Sequence, residues 1–153
     1  MPEPGANSLA RRDRLEGKSP STQAGEFVRE EIRHIRQGKH GARSTSQAIA
    51  IGLSRARRAG VKLPPPAGGR ASERVRHQAQ KDLAAGKNKA AHTISTARSR
   101  ATLRALRREN RVAASSRALA QQARRSARRK SAARRSTIAR KAAQTRARLR
   151  AGR

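Results

Sequence analysis

The chain of 153 residues contains no cysteine, only one aromatic residue, Phe27, and no long hydrophobic run. The absence of cysteine excludes disulfide bonds and thiolate metal sites. The lack of aromatic side chains argues against RNA-recognition and single-strand-binding modules, because these modules stack bases on Phe, Tyr or Trp. No segment approaches the roughly 20 apolar residues that a membrane-spanning helix needs, and the N-terminus lacks the apolar core of a signal peptide. We therefore expect a cytoplasmic protein.

Acidic residues are also scarce. Nine Asp and Glu oppose 39 Lys and Arg, which leaves a net charge of +30, and a charge of this size calls for a polyanionic partner. Arginine outnumbers lysine 31 to 8, and its planar guanidinium group binds phosphate through two hydrogen bonds. Membrane surfaces are anionic too, but interfacial helices need bulky apolar residues where this chain has mostly alanine. The expected partner is nucleic acid, with duplex DNA favoured and RNA as the alternative, and no membrane.

The distribution of charge and turn residues divides the chain into segments. Residues 1–66 carry a net charge of +7 and residues 67–153 carry +23, and three prolines at 64–66 followed by two glycines separate them. The core can be only small, since most apolar residues are alanine and bury little area. The predicted fold class is all-α: a small helical hairpin followed by a long, basic, partly disordered helical arm. The predicted segments are a disordered N-terminus over 1–18, the hairpin module over 19–63, a Pro/Gly hinge over 64–71, and the nucleic-acid-binding arm over 72–153, which is helical or disordered.

The first helix of the hairpin has recognisable start and stop signals. Ser19 suits the N-cap and Pro20 the first helical position, where its missing N–H costs nothing. Apolar residues recur at helical spacing up to Gly38, which ends the helix.

The second helix is the stretch STSQAIAIGLSRARRAG. Ser44 and Gln47 have the spacing of a capping box, and Gly60 follows the last turn as a stop. Gly52, on the apolar face, would let the two helices approach closely. Val61 and Leu63 are placed to fold back over the helix end.

A resemblance to a known family is carried by residues 19–66, which include the segment SQAIAIGLSRARRAGVKLP. This stretch resembles a family of short, basic bacterial proteins known only as a domain of unknown function, whose members have a similar SxQAIAIGLSxARRAGxKxP segment. The resemblance implies a bacterial origin and a small helical module, and it implies no activity. After residue 66 the composition resembles the Ala- and Arg-rich tails of bacterial histone-like proteins.

The residues of the arm have a high helix propensity, but their like charges oppose helix formation. A helix is predicted over 72–85, a break over 87–91 and a further helix from about Thr93. After Glu109 there are 15 basic and no acidic residues, and neither proline nor glycine occurs before Gly152. Helix propensity is high, but like charges at i,i+4 oppose it in free solution, so the arm is expected to become more helical when phosphate is bound. A continuous helix over 116–153 would be ~57 Å long.

The candidate nucleic-acid-binding residues are cations at the end of the second hairpin helix and along the arm. In helix-turn-helix proteins base contacts come mostly from the start of the recognition helix, whereas these hairpin cations lie at its end, so they suit phosphate contact better. The alternative for the hairpin cations is a solvated face. The predicted residues are Arg55, Arg57, Arg58, Lys62, Arg124, Arg125, Arg128, Arg129, Lys130, Arg134, Arg135, Arg140, Lys141 and Arg146.

No catalytic, cofactor or metal site is predicted, and the expected protein is not an enzyme. Glu26, Glu30 and His34 share a helical face at i,i+4 spacing and His40 follows nearby, which would suit a metal site or an acid–base pair. Surface ion pairs with Arg29, Arg33 and Arg36 explain the same residues. The predicted function is largely sequence-nonspecific DNA binding by phosphate neutralisation, in a nucleoid-associated, histone-like protein. The alternative is a protein-interaction module, whose hairpin binds a partner or a second copy and whose arm tethers it to RNA or ribosomes.

Overall fold

The computed structural model describes residues 4–88 and 95–151, and within these ranges the chain is helical and has no strand. The predicted all-α class is confirmed. None of the described helices is long and apolar enough to cross a membrane. The elements in order are α1 (Ala6–Leu15), α2 (Pro20–Arg36), α3 (Thr45–Arg58), α4 (Glu73–Lys87), α5 (Thr96–Arg108), a 3-10 helix (Val112–Ala114), α6 (Ser116–Arg128) and α7 (Ala132–Ala151).

The described residues belong to two compact units, one within Met1–Ser115 and the other within Ser116–Arg153. The first unit contains the helices α1 to α5 and the 3-10 helix, and the second contains α6 and α7. This division differs from the predicted one, in which the folded part ends at the prolines.

Helix α1 occupies a segment for which the sequence predicts disorder. Its alanines Ala6 and Ala10 are buried in one cluster with Phe27 of α2. The Ala6 N–H donates to Glu30 Oε1 at 3.0 Å, which satisfies one of the amides that a helix start leaves open. The prediction for residues 1–18 therefore does not hold for α1. Two alanines one turn apart are a weak signal in sequence, but they form a flat strip that packs closely on another helix.

Helix α2 begins and ends where the sequence predicts. The Ser19 side chain accepts a hydrogen bond from the Thr22 N–H at 3.3 Å, and Pro20 is the first helical residue. Gly38, with φ of +76°, terminates the helix in the left-handed conformation that glycine adopts without strain. The apolar face is buried, with Ile35 fully inaccessible to solvent.

Helix α3 is likewise confirmed at both ends. Ser44 Oγ accepts from the Gln47 N–H at 3.1 Å, while Gln47 Oε1 accepts from the Arg43 N–H at 2.7 Å, one residue before the amide used in a capping box. Gly60 has φ of +93°. Beyond it Val61 is 7% exposed and joins the core cluster, as the sequence predicts.

The crossing of α2 and α3 depends on Gly52. A Cβ atom at this position would lie 2.7 Å from the Cα atom of Val28 and 3.0 Å from its Cγ2 atom. Because a backbone atom stands that close, the two helices can meet at this distance only if residue 52 has no side chain. The predicted close approach at Gly52 is confirmed.

Replacing Gly52 with alanine should destabilise the chain by about 1–3 kcal/mol, the usual cost of forcing extra volume into a packed interface. Gly25→Ala, in the interior of α2, is the matched control, because no atom lies within 4 Å of its added Cβ. This control should be neutral or stabilising by up to about 1 kcal/mol, since alanine is the better helix former. Urea unfolding followed by helical circular dichroism measures both variants. Equal stability of the two would contradict the tight crossing.

Helix α4 packs on α3, although the sequence assigns it to the arm. Gly86 lies against the backbone carbonyl of Arg57, so close that a Cβ atom could not be accommodated. Asp82, only 2% exposed, accepts hydrogen bonds from Ser54 Oγ at 2.6 Å and Arg58 Nε at 2.8 Å. The residues over 64–71 therefore connect two helices of the same unit, and the folded part of the chain extends beyond the prolines.

The end of α5 and the segment that follows it contact the turn between α2 and α3. The N–H groups of Gly41 and Ala42 donate to the carbonyls of Leu106 and Asn110, at 2.9 and 3.1 Å. Thr45 Oγ1 donates to the Ala113 carbonyl at 2.7 Å in a buried position. These bonds hold the last part of the first unit against the turn between α2 and α3. They also pair backbone groups that would otherwise be buried without partners.

The predicted break over 87–91 and the predicted helix start at Thr93 fall largely on residues 89–94, outside the described ranges. Helix α5 begins at Thr96, where the Ser95 side chain accepts from the Arg98 N–H at 3.4 Å.

The second unit is helical, but its helix is not continuous. Helix α6 ends at Arg128 and α7 begins at Ala132. Ser131 caps the new helix by accepting from the Arg134 N–H at 3.3 Å. A serine side chain that bonds to the backbone in this way competes with a continuous helix, so it favours a new helix start after the three cations over 128–130. At the α-helical rise the two helices are about 20 Å and 30 Å long.

Candidate nucleic-acid interface

The hairpin cations predicted to contact phosphate are mostly engaged inside the first unit. Arg57 is 8% exposed, and its guanidinium group donates to the Leu63 carbonyl at 3.1 Å and the Pro64 carbonyl at 3.3 Å. Burial lowers the pKa of the Arg57 guanidinium group, because the charged form loses hydration. Arg57 thus holds the proline segment against the end of α3.

Arg55 and Arg58 form ion pairs that join helices. The two terminal nitrogens of Arg55 lie 2.6 Å from Glu30 Oε2 and 3.3 Å from Glu31 Oε2, and Arg58 pairs with Asp82. Desolvation of the Glu30 carboxylate raises its pKa, but the hydrogen bond from the Ala6 N–H and the charge of Arg55 outweigh it, so the pKa is lowered overall.

Lys62 is the remaining hairpin candidate, and its side chain is exposed. The other three hairpin candidates, Arg55, Arg57 and Arg58, are paired with carboxylates and carbonyls of the same unit. Sequence reasoning could not anticipate this pairing for Arg58, since its partner Asp82 lies 24 residues further along the chain.

Helix α6 presents a basic face. Arg117, Arg124 and Arg128 follow one another at spacings of seven and four, so they lie on one line along the helix, and Arg125 flanks that line. All four are exposed. Leu119, Ala123 and Ala127, the apolar stripe that the sequence predicts, occupy the opposite side. Arg129, another predicted residue, is exposed just beyond the helix end, and Lys130 is half-buried.

Helix α7 has cations on every side. The predicted residues Arg134, Arg135, Arg140, Lys141 and Arg146 are all exposed. Two of them make local contacts: Arg135 donates to the Lys130 carbonyl at 2.9 Å and Arg146 donates to the Ala142 carbonyl at 3.3 Å. The helix has no acidic residue, so its positive field is not offset within α7.

Sequence reasoning overlooked the basic residues of α5. Arg100, Arg104, Arg107 and Arg108 recur at spacings of three and four, and all are exposed. The signal was present in their helical spacing, the same spacing that marks α6.

The second unit is suited chemically to a phosphate backbone. The arginines of α6 and α7 are exposed, and no Asp or Glu occurs after Glu109 to compete for them. A helix the width of α6 fits the major groove of B-DNA, which is about 12 Å wide. Phosphate contacts of this kind carry no base information.

The fold and this surface define a helical protein with a strongly basic second unit. Residues 17–67, which cover α2 and α3, match the model of a family described as a family of unknown function (DUF6496). No curated protein matches the chain. No solved structure matches it either.

Proposed function

We propose that the chain is a non-enzymatic, largely sequence-nonspecific DNA-binding protein of the histone-like kind, and that its second unit supplies the binding surface by neutralising phosphates. The observation that carries the proposal is the contrast between the two units. In the first, carboxylates or backbone carbonyls hold the three hairpin arginines, whereas α6 and α7 carry exposed arginines and no acidic residue. A cation already paired inside the protein must break that pair before it binds phosphate, so the second unit has the smaller cost of binding.

Duplex DNA is favoured over single strands because the chain offers bases no aromatic platform. Duplex binding also explains why α6 and α7 are so rich in arginine, whose guanidinium group makes paired hydrogen bonds to phosphate. Within this proposal, the part of the arm that forms the second unit is partly disordered in the free chain and gains helix on DNA, since like charges along α7 repel until phosphates screen them. Association with the nucleoid follows from the same chemistry.

A salt titration of the full chain tests the proposal. If about ten phosphates are contacted, the logarithm of the binding constant for a short duplex should fall with a slope near −9 against the logarithm of salt concentration. Fluorescence anisotropy with duplex DNA, single-stranded DNA and structured RNA measures this slope and the preference among the three. A binding constant insensitive to salt would remove the proposal. A clear preference for structured RNA would favour the tether to RNA or ribosomes instead.

A further inference from the structure

Three side chains with metal-binding atoms converge at the end of α2. Glu31 and His34 lie one turn apart on the helix, and His40 lies in the turn that follows Gly38. One carboxylate oxygen and one ring nitrogen from each histidine lie within 4.8 Å of one another. Both histidines belong to the set that the sequence suggests, but the carboxylate differs, since Glu26 pairs with Arg29 and Glu30 pairs with Arg55.

The Glu31 carboxylate is buried with half of its bonding capacity unused. The side chain is 2% exposed, and its Oε2 atom lies 3.3 Å from a nitrogen of Arg55. Its Oε1 atom is buried and makes no hydrogen bond to any part of the chain that the structure describes. A buried carboxylate oxygen without a partner is costly, so this atom requires a positive or hydrogen-donating group.

His40 faces this oxygen with the nitrogen that carries no hydrogen in a neutral ring. Its Nδ1 atom lies 3.1 Å from the Gly41 carbonyl, which can only accept, so the hydrogen of a neutral imidazole sits on Nδ1. Its Nε2 atom lies 3.4 Å from Glu31 Oε1. Two lone pairs then point toward each other across this gap. A cation between them, either a proton or a metal ion, resolves the conflict.

The geometry favours a metal ion. Ligand atoms at 2.0–2.1 Å from a tetrahedral zinc ion are about 3.4 Å apart, which is the separation already present between Glu31 and His40. A histidine that donates its other ring N–H to a backbone carbonyl has the orienting contact typical of metal ligands. A proton would be shared by Glu31 and His40 alone, so it would not explain why His34 lies beside them.

The surroundings are compatible with this ligand set. Desolvation and the positive charge of Lys39 lower the pKa of the His34 imidazole. Arg55 also contacts Glu31, but its two nitrogens lie against Glu30 Oε2 and Glu31 Oε2, not against Glu31 Oε1. The three side chains line a wide cleft of the first unit, which provides room for a fourth ligand.

We propose that Glu31, His34 and His40 form a three-ligand zinc site with its fourth position open to the cleft. The ion ties the end of α2 to the turn before α3, and it does so independently of nucleic-acid binding. His34 and His40 close on the ion by side-chain rotation, because all three ligand atoms lie within 4.8 Å of one another, which exceeds the tetrahedral separation by at most about 1.4 Å.

Isothermal titration of the full chain with zinc chloride near neutral pH tests the site. One zinc ion should bind per chain, and His40→Gln and Glu31→Gln should each weaken binding by about a hundredfold or more, since each removes a direct ligand. His77→Gln is the matched control, because His77 is exposed on α4 and is not one of the three clustered residues. Cobalt in place of zinc should give the visible absorption of a tetrahedral ion.

A second measurement on the unaltered chain guards against variants that fail to fold. In proton–carbon NMR spectra, zinc should shift the ring signals of His34 and His40 and leave those of His77 in place. The proposal is overturned if zinc does not bind stoichiometrically, if His40→Gln binds as well as the unaltered chain, or if all histidine signals move together. If zinc does not bind, a proton is the cation that remains between Glu31 and His40.

Discussion

Replacing Arg117, Arg124, Arg125 and Arg128 together with glutamine should lower the affinity of the full chain for duplex DNA about a thousandfold at 0.15 M salt. Each phosphate contact contributes about 0.9 to the salt slope, so four lost contacts should reduce the slope by about 3.6 and account for a loss of this size. Glutamine retains a high helix propensity, so α6 should persist. Anisotropy titrations at several salt concentrations measure affinity and slope together.

The control removes the same charge from the first unit. Arg11, Arg14, Arg70 and Arg74 are also exposed, and their replacement by glutamine lowers the net charge of the chain by the same four units. If the basic face of α6 contacts the backbone, this control should lose far less affinity and keep most of the salt slope. An equal loss in both variants would mean that net charge alone attracts the chain to DNA, and it would refute a binding surface on α6.

The second large effect concerns Asp82, which joins α4 to α3. Asp82→Ala should destabilise the first unit by about 2–3 kcal/mol, because it removes hydrogen bonds from Ser54, Arg58 and Gln78 to one buried carboxylate. This loss of stability is smaller than the loss on breaking a fully buried ion pair, since the Arg58 side chain is 58% exposed and water can solvate it. Urea unfolding followed by circular dichroism measures the loss.

Glu73→Ala provides the comparison on the same helix. Its carboxylate is 85% exposed and pairs with Arg76 one turn away, so its removal should change stability by at most about 0.5 kcal/mol. If Asp82→Ala is as mild as Glu73→Ala, α4 does not belong to the folded unit and the boundary lies at the prolines, as the sequence suggests.

The hairpin was largely predictable because its signals are local. Ser19 and Ser44 cap their helices, Gly38 ends α2, and Gly52 sits where α2 and α3 touch. Each of these depends on a side chain and the backbone within a few residues, or on a missing side chain at a helix face. Such features can be recognised from the type of residue and its spacing along the chain.

Helix α1 and the interruption between α6 and α7 were harder to predict, each for its own reason. Helix α1 carries only two buried alanines as its apolar strip, too weak a pattern to distinguish from a disordered tail rich in small residues. The interruption between α6 and α7 rests on the Ser131 cap within a tract where serine is common. Propensity summed over that tract favours continuous helix, and one local bond decides where it ends.

Composition and periodicity alone therefore establish an all-helical chain, a polyanionic class of partner as the leading hypothesis, and the ends of α2 and α3. Only the tertiary structure decides which cations stand apart from carboxylates and which are enclosed. The sequence alone does not distinguish Arg57 from Arg124, since both lie in basic runs. In the structure Arg57 is buried against two carbonyls, whereas Arg124 is exposed on a helix without acidic neighbours. Charge and helical period are properties of neighbouring residues, whereas burial and pairing depend on groups such as Asp82 that arrive from distant parts of the chain.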